Sequence, residues 1–147
     1  MSTYKAGLRW ERREQPFTLE AYDRGHTLTL GSGQNLSASS APEYKGDPSK
    51  ANPEELLAAS LASCHMLTFL ALAAKKKFIV DRYEDQSEAK LAKNTNAKMA
   101  IVEVTLHPKV VFSGTAPSSE ELKALHDLAH EHCFIANSVN FTVNING

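Results

Sequence analysis

The sequence predicts an α+β fold in which a mainly antiparallel sheet wraps around one long, buried central helix. Three observations carry that prediction. Residues 56–74 form an uncharged, largely apolar run with two glutamates before it and three lysines after it. Alternating apolar and polar residues, the period of a half-buried strand, recur on both sides of that run. A second stretch, residues 118–133, repeats its apolar side chains at helical spacing.

Taken in order, Tyr4, Ala6, Leu8 and Trp10 alternate with Lys5, Gly7 and Arg9 and give a first strand. Residues 12–16 turn the chain, residues 17–22 are expected as a second strand, and Asp23-Arg24-Gly25 is a tight turn into a third at residues 26–30. These three should form an antiparallel meander. Residues 31–51 are rich in Ser, Gly, Asn, Pro and Lys, a loop long enough to be functional.

The long helix follows. Asn52 can cap it, Pro53 suits its first position, and Glu55 stands where a capping box places an acid. Lys75, Lys76 and Lys77 meet the negative end of its dipole. Apolar residues on every face mean that the helix is surrounded by protein. A membrane span is disfavoured by Ser60, Ser63, Cys64, His65 and Thr68 at its centre and by its alanines.

After it come short alternating segments at residues 78–80 and 83–91, a turn at residues 93–96, and the clearest strand pattern, residues 98–112, with Pro108 marking an edge or a bulge. Ser118 with Glu121 is a capping box for the second helix, near whose end lies Cys133. Phe141, Val143 and Ile145 alternate in a last strand.

At 147 residues the chain is expected to be one domain, 1–147, small for one that must enclose so long a helix, which points to a dimer. Sixteen Lys and Arg against 17 Asp and Glu leave a net charge of −1, so there is no electrostatic case for nucleic acid or an anionic membrane. Two distant cysteines without a secretory signal fit a reducing cytoplasm, where a thiol pair is either inert or catalytic.

The cysteines stand 69 residues apart, which excludes a C-x-x-C redox or zinc-ribbon spacing, and they meet only by folding. One reading is two small hydrophobes without chemistry. A zinc reading also exists, because His65 follows Cys64 while His130 and His132 precede Cys133. Cys64 and His65 diverge by about 100° on a helix, which makes joint ligation awkward.

The run Asn52-Pro53-Glu54-Glu55-Leu56-Leu57-Ala58-Ala59 through Ala62-Ser63-Cys64, with a second cysteine near the end of a later helix, resembles the OsmC/Ohr family of thiol-dependent hydroperoxide reductases. The resemblance covers essentially the whole chain. It implies an intertwined homodimer with two long helices at its centre, active sites at the subunit interface and no cofactor. By position, Cys64 is similar to the cysteine that attacks the peroxide, Cys133 to the one that resolves it, and Glu54 to the motif glutamate. Arg24 resembles the arginine of Ohr-type members, which stands about thirty residues before that glutamate. Phe134-Ile135 follow Cys133 where the family usually has proline and valine, which places the chain in a divergent OsmC-like branch.

The chemistry is consistent with those residue types. A buried thiolate needs a nearby cation; arginine stays charged, and a glutamate can orient its fork. Cys64 would become a sulfenic acid, Cys133 would condense with it, and an external dithiol would reduce the disulfide. Leu61, Phe69 and Phe134 would line an apolar path for organic hydroperoxides, or serve simply as core. The alternative function is a non-peroxidase of the same fold that binds a small apolar ligand or transfers thiol equivalents.

Overall fold

The computed structural model describes residues 1–147. The chain divides into two compact units, residues 1–56 and 57–147.

In the first unit β1 (Ala6–Arg9), β2 (His26–Leu30) and β3 (Asn35–Ala38) form an antiparallel meander in that order. Leu8 pairs with Leu28, and His26 with Ala38. The meander is present, but its members differ from expectation. Residues 17–22 are turns, not a strand: the N–H groups of Ala21 and Tyr22 both donate to the Thr18 carbonyl, at 3.1 and 3.0 Å. Mutual packing of Trp10, Phe17 and Tyr22, with ring centroids 5.6 to 6.4 Å apart, replaces a sheet partner for that stretch. The third strand lies instead inside the stretch expected to be loop, where Asn35–Ala38 pairs with β2. Further on, a 3-10 turn at Pro42–Tyr44 closes with the Gly46 N–H on the Ala41 carbonyl, 3.2 Å. A Cβ on Gly46 would lie 1.6 Å from the Ser40 oxygen, so only glycine fits there.

α1 (Pro53–Lys75) begins as its sequence prescribes. The Asn52 side chain accepts from the Glu55 N–H (2.9 Å), and its amide donates to the Glu55 carboxylate (2.8 Å). The buried residues Ala58, Leu61, His65, Phe69 and Ala73 recur every three or four positions and form a single stripe. An apolar composition on every face led us to expect burial all round, yet within one chain Leu67 is 61% exposed. By length and composition alone α1 could cross a bilayer, as the core helix of a globular domain also can.

In the second unit β4 (Ile79–Glu84) pairs antiparallel with β7 (Lys109–Ser113). A separate sheet has the order β5 (Glu88–Lys93), β6 (Met99–Leu106), β8 (Thr142–Ile145), with β8 parallel to β6. The long strand pattern expected at residues 98–112 is therefore two strands in two sheets. The break falls at His107-Pro108, because proline has no N–H to continue the ladder. The His107 N–H leaves the sheet and donates to Asp85 Oδ1 (2.7 Å).

α2 (Ser119–His132) starts at the expected capping box: Ser118 Oγ accepts from the Glu121 N–H (3.1 Å), and the Glu121 carboxylate from the Ser118 N–H (3.0 Å). The α1 stripe feeds two cores. Phe69 and Ala73 pack with Leu125 and Ala129 of α2, while Leu61 packs with Val104 and Leu106 of β6. Burying such side chains is worth about 1.5–3 kcal/mol each, and this fixes the rotation of α1 about its axis.

Candidate active site

Because the stripe at Leu61, His65 and Phe69 faces the core, Cys64 lies to one side of it and stays partly accessible. Cys133 is the C-cap of α2, 1% exposed, and its backbone leaves the helix extended (φ −72°, ψ 113°). The chain then folds back on itself. The Asn137 N–H returns to the Cys133 carbonyl and the Ser138 N–H to the Ile135 carbonyl, both at 3.0 Å. The N–H groups of Phe134, Ile135 and Ala136 have no carbonyl partner. Ala136 donates to Cys133 Sγ at 3.4 Å.

These contacts separate the two thiols chemically. Burial pushes Cys64 up, but the Ile135 N–H, the Cys133 thiol, the Phe134 N–H and the Thr68 hydroxyl together outweigh it and hold Cys64 below the ordinary thiol value. Thr68 adds least, since its single proton is also given to the Cys64 carbonyl (2.9 Å). For Cys133 burial dominates, the Ala136 N–H offsets it in part, and the facing Cys64 sulfur pushes it further up. The two thiols are thus shifted in opposite directions, Cys64 down and Cys133 up.

The next residue, His65, is 1% exposed and points elsewhere. Its Nε2 lies 3.0 Å from Nδ1 of His126 on α2. The ring planes are only 8° apart with centroids separated by 5.3 Å, so the shared proton lies between the nitrogens, near the plane of both rings. Burial, then the neighbouring His126 and His130, lowers the His65 pKa to about 4, and burial lowers that of His126 as well. Both are neutral at pH 7. His65 Nδ1 and His126 Nε2 have no partner. No group of three or more His, Cys, Asp or Glu side chains is arranged to hold a metal ion, and His65 uses a ring nitrogen on His126.

In the first unit Arg24 lies over the Tyr22 ring, 3.6 Å from its centroid, and donates to the carbonyls of Tyr22 and Leu19. It lines an open apolar hollow of about 600 Å³ with Leu8, Trp10, Phe17 and Pro53. Glu54 follows Pro53 at the start of α1; its Oε2 is buried without a partner and makes no ion pair with Arg24. Glu54 and Cys64 stand ten residues apart on α1, roughly 15 Å along its axis, beyond the reach of a side chain. Of the apolar residues named from sequence, Leu61 and Phe69 are core, and Phe134 is 81% exposed. Sequence reasoning missed the main-chain donors of residues 134–136, which have no side-chain signature, and His126, whose only sequence signal was its place near α2's apolar stripe.

An α+β fold that brings two cysteines together from a long apolar helix and the end of a later amphipathic one defines a class of small dithiol proteins. The chain belongs to the OsmC-like protein family, whose model matches residues 46–146. An OsmC-like protein of unknown function from Vibrio cholerae is 40% identical, with a TM-score of 0.95 over 99% of this chain and 98% of that one. The fold is shared with the organic hydroperoxide resistance protein OhrB of Bacillus subtilis (21% identity, TM-score 0.70, 98% and 96% of the chains). It is also shared with an organic hydroperoxide resistance protein OsmC from Legionella pneumophila (23%, 0.73, 99% and 94%). No curated protein matches the sequence.

Proposed function

We propose that this protein is a cytoplasmic, cofactor-free peroxidase that reduces organic hydroperoxides to alcohols through Cys64 and Cys133. The reading rests on one observation: two free cysteines face each other, the partly accessible one with a depressed pKa and the buried one with a raised pKa. The Cys64 thiolate attacks the outer peroxide oxygen, the O–O bond breaks, and the alkoxide takes a proton to leave as alcohol. Cys64 is then a sulfenic acid. Cys133 attacks its sulfur, hydroxide leaves and is protonated to water, and a disulfide remains. An external dithiol restores both thiols by two exchange steps.

The same reading makes the protein a single-domain homodimer. A helix apolar on every face but buried along one stripe supports a second copy against it. An antiparallel partner helix would bring the partner's Glu54 beside Cys64, with Arg24 completing the site, and two-fold symmetry would make two such sites.

One equivalent of cumene hydroperoxide should remove two free thiols per chain and yield a Cys64–Cys133 disulfide by mass spectrometry. Unchanged thiols would favour the alternative, a ligand-binding or thiol-transfer role. For the shared site, a heterodimer of Cys64→Ser with Glu54→Ala should regain about half of wild-type activity while neither homodimer is active. A folded heterodimer without activity would place Glu54 in its own chain's site or in none.

A further inference from the structure

We propose that the hydrogen bond between His65 and His126 is a register pin, which fixes the height of α2 against α1 and so sets how closely Cys133 approaches Cys64. Both histidines are positioning residues, and the proposal rests on the reading of the two cysteines as one redox pair. Cys64 is the residue before His65 on α1, and Cys133 is the C-cap of α2. His126, His130 and Cys133 stand at i, i+4 and i+7 and share one stripe of α2. About two turns of helix, roughly 10 Å, separate His126 from Cys133. A contact made at His126 therefore places the sulfur at the end of the same rigid element.

The other packing between the two helices, Phe69 and Ala73 against Leu125 and Ala129, is apolar, and apolar burial has no direction. It holds α2 on α1 but tolerates sliding. The imidazole bond does not. His65 Nε2 meets His126 Nδ1 at 3.0 Å with the ring planes 8° apart, a geometry that a small shift along either axis breaks. Both rings are buried, and His65 Nδ1 and His126 Nε2 have no partner, so each ring finds its only hydrogen bond in the other. A slip would leave every ring nitrogen of the pair buried and unsatisfied, which is costly. Nor can the His126 ring turn away. Phe69 lies against it with centroids 4.5 Å apart, and Gly147 closes the edge beyond: a Cβ there would come within 2.7 Å of Nε2. A disulfide needs its sulfurs about 2 Å apart at a specific torsion, a tighter tolerance than apolar packing provides.

Exchange with dithiothreitol tests the pin without peroxide. Oxidised dithiothreitol takes up both thiol hydrogens as the Cys64–Cys133 bond forms, and the equilibrium constant reads how well the two sulfurs are placed. Replacing both rings, His65→Leu with His126→Leu, removes the bond, leaves no buried polar atom of the pair and keeps most of the volume, so urea stability stays near wild type. The equilibrium constant should nevertheless fall about tenfold, while alkylation of Cys64, which reads one sulfur alone, stays within about twofold. His126→Asn, which keeps a hydrogen-bonding atom where Nδ1 stands, should hold the constant within about threefold of wild type. A double variant with the wild-type constant overturns the pin. If that variant does not fold, NMR of the unmodified protein decides. The proton shared between the rings, and its coupling across the N–H···N bond, should be the same in the dithiol and disulfide forms; their loss on oxidation overturns the proposal. A wild-type chain that exchanges with dithiothreitol but keeps its thiols under cumene hydroperoxide refutes the peroxidase reading and leaves the pin standing.

Discussion

Cys64 and His65 are neighbours on α1, and each faces a residue at α2 or its end, yet the fold treats them oppositely. Both pKa values move down. For the thiol this favours the charged form, because donors converge on it while part of it still meets solvent. For the imidazole it favours the neutral form, because burial strips away water and offers no anion in return. One helical step of about 100° separates a side chain shifted toward its charged form from one shifted toward its neutral form. The difference lies in what surrounds each side chain: polar main chain and the Cys133 thiol for Cys64, another neutral ring and the Phe69 side chain for the histidine pair.

Opposite roles call for opposite phenotypes, and this gives the largest expected effect. Cys64→Ser should reduce peroxide consumption at least a thousandfold, since the oxygen nucleophile is far less reactive, and change stability by less than about 1 kcal/mol. Cys133→Ser should still consume one equivalent and leave a trappable sulfenic acid on Cys64. His126→Ala should do the reverse: it leaves His65 buried without its hydrogen bond and opens a void beside Phe69, costing about 3–4 kcal/mol, while Cys64 in the folded protein alkylates at the wild-type rate. Urea unfolding and alkylation rates read both quantities. A His126→Ala protein that is fully stable but slow to alkylate would erase the distinction.

The two neighbours also separate by pH. Unfolded, His65 titrates near 6.5; folded, near 4. Between those values the unfolded chain holds a proton that the folded one does not, so stability is complete above pH 6.5 and is lost as pH falls toward 4, by about 3 kcal/mol at most. His126, also lowered, acts in the same direction. The Cys64 shift likewise adds stability that fades on acidification, but in an alkaline window below its ordinary 9.0, whereas the raised Cys133 removes stability as pH rises above 9.0. Urea midpoints at pH 7 and near pH 4.5 should therefore differ strongly in wild type and much less in His65→Asn. An equally steep loss in that variant would assign the acid window to other groups.

What the sequence made legible follows the same division between local and distant causes. Both helices, their caps at Asn52 and Ser118, and the place of Cys133 depend on residues within one turn, and local spacing found them. The strand expected at residues 17–22 failed because Trp10, Phe17 and Tyr22 pack on one another, a contact between residues up to twelve positions apart. Asn35–Ala38 escaped notice because its strand character comes from pairing with β2 rather than from its polar composition. At the site, the cysteines were legible by type and their partners were not. Amides are present at every residue except proline, so only the fold says that the one at Ala136 faces the Cys133 sulfur. The His65–His126 contact spans 61 residues and has no spacing rule.

The smallest expected effect tests the main-chain emphasis from the other side. Thr68 stands one turn beyond Cys64, the obvious side-chain candidate for a thiolate donor. Its hydroxyl has one proton and gives it to the Cys64 carbonyl at 2.9 Å, so the sulfur receives a divided share, the weakest of the contacts that lower its pKa. Valine keeps the branched shape and removes only the hydroxyl. The Cys64 carbonyl freed in Thr68→Val retains its helical partner, the N–H four residues on, and is left satisfied. Thr68→Val should therefore slow iodoacetamide alkylation of Cys64 by less than about threefold. A Thr68→Val protein slowed about tenfold or more would place the control of Cys64 on the face of α1 itself, and its reactivity would then belong to the helix rather than to the meeting of two.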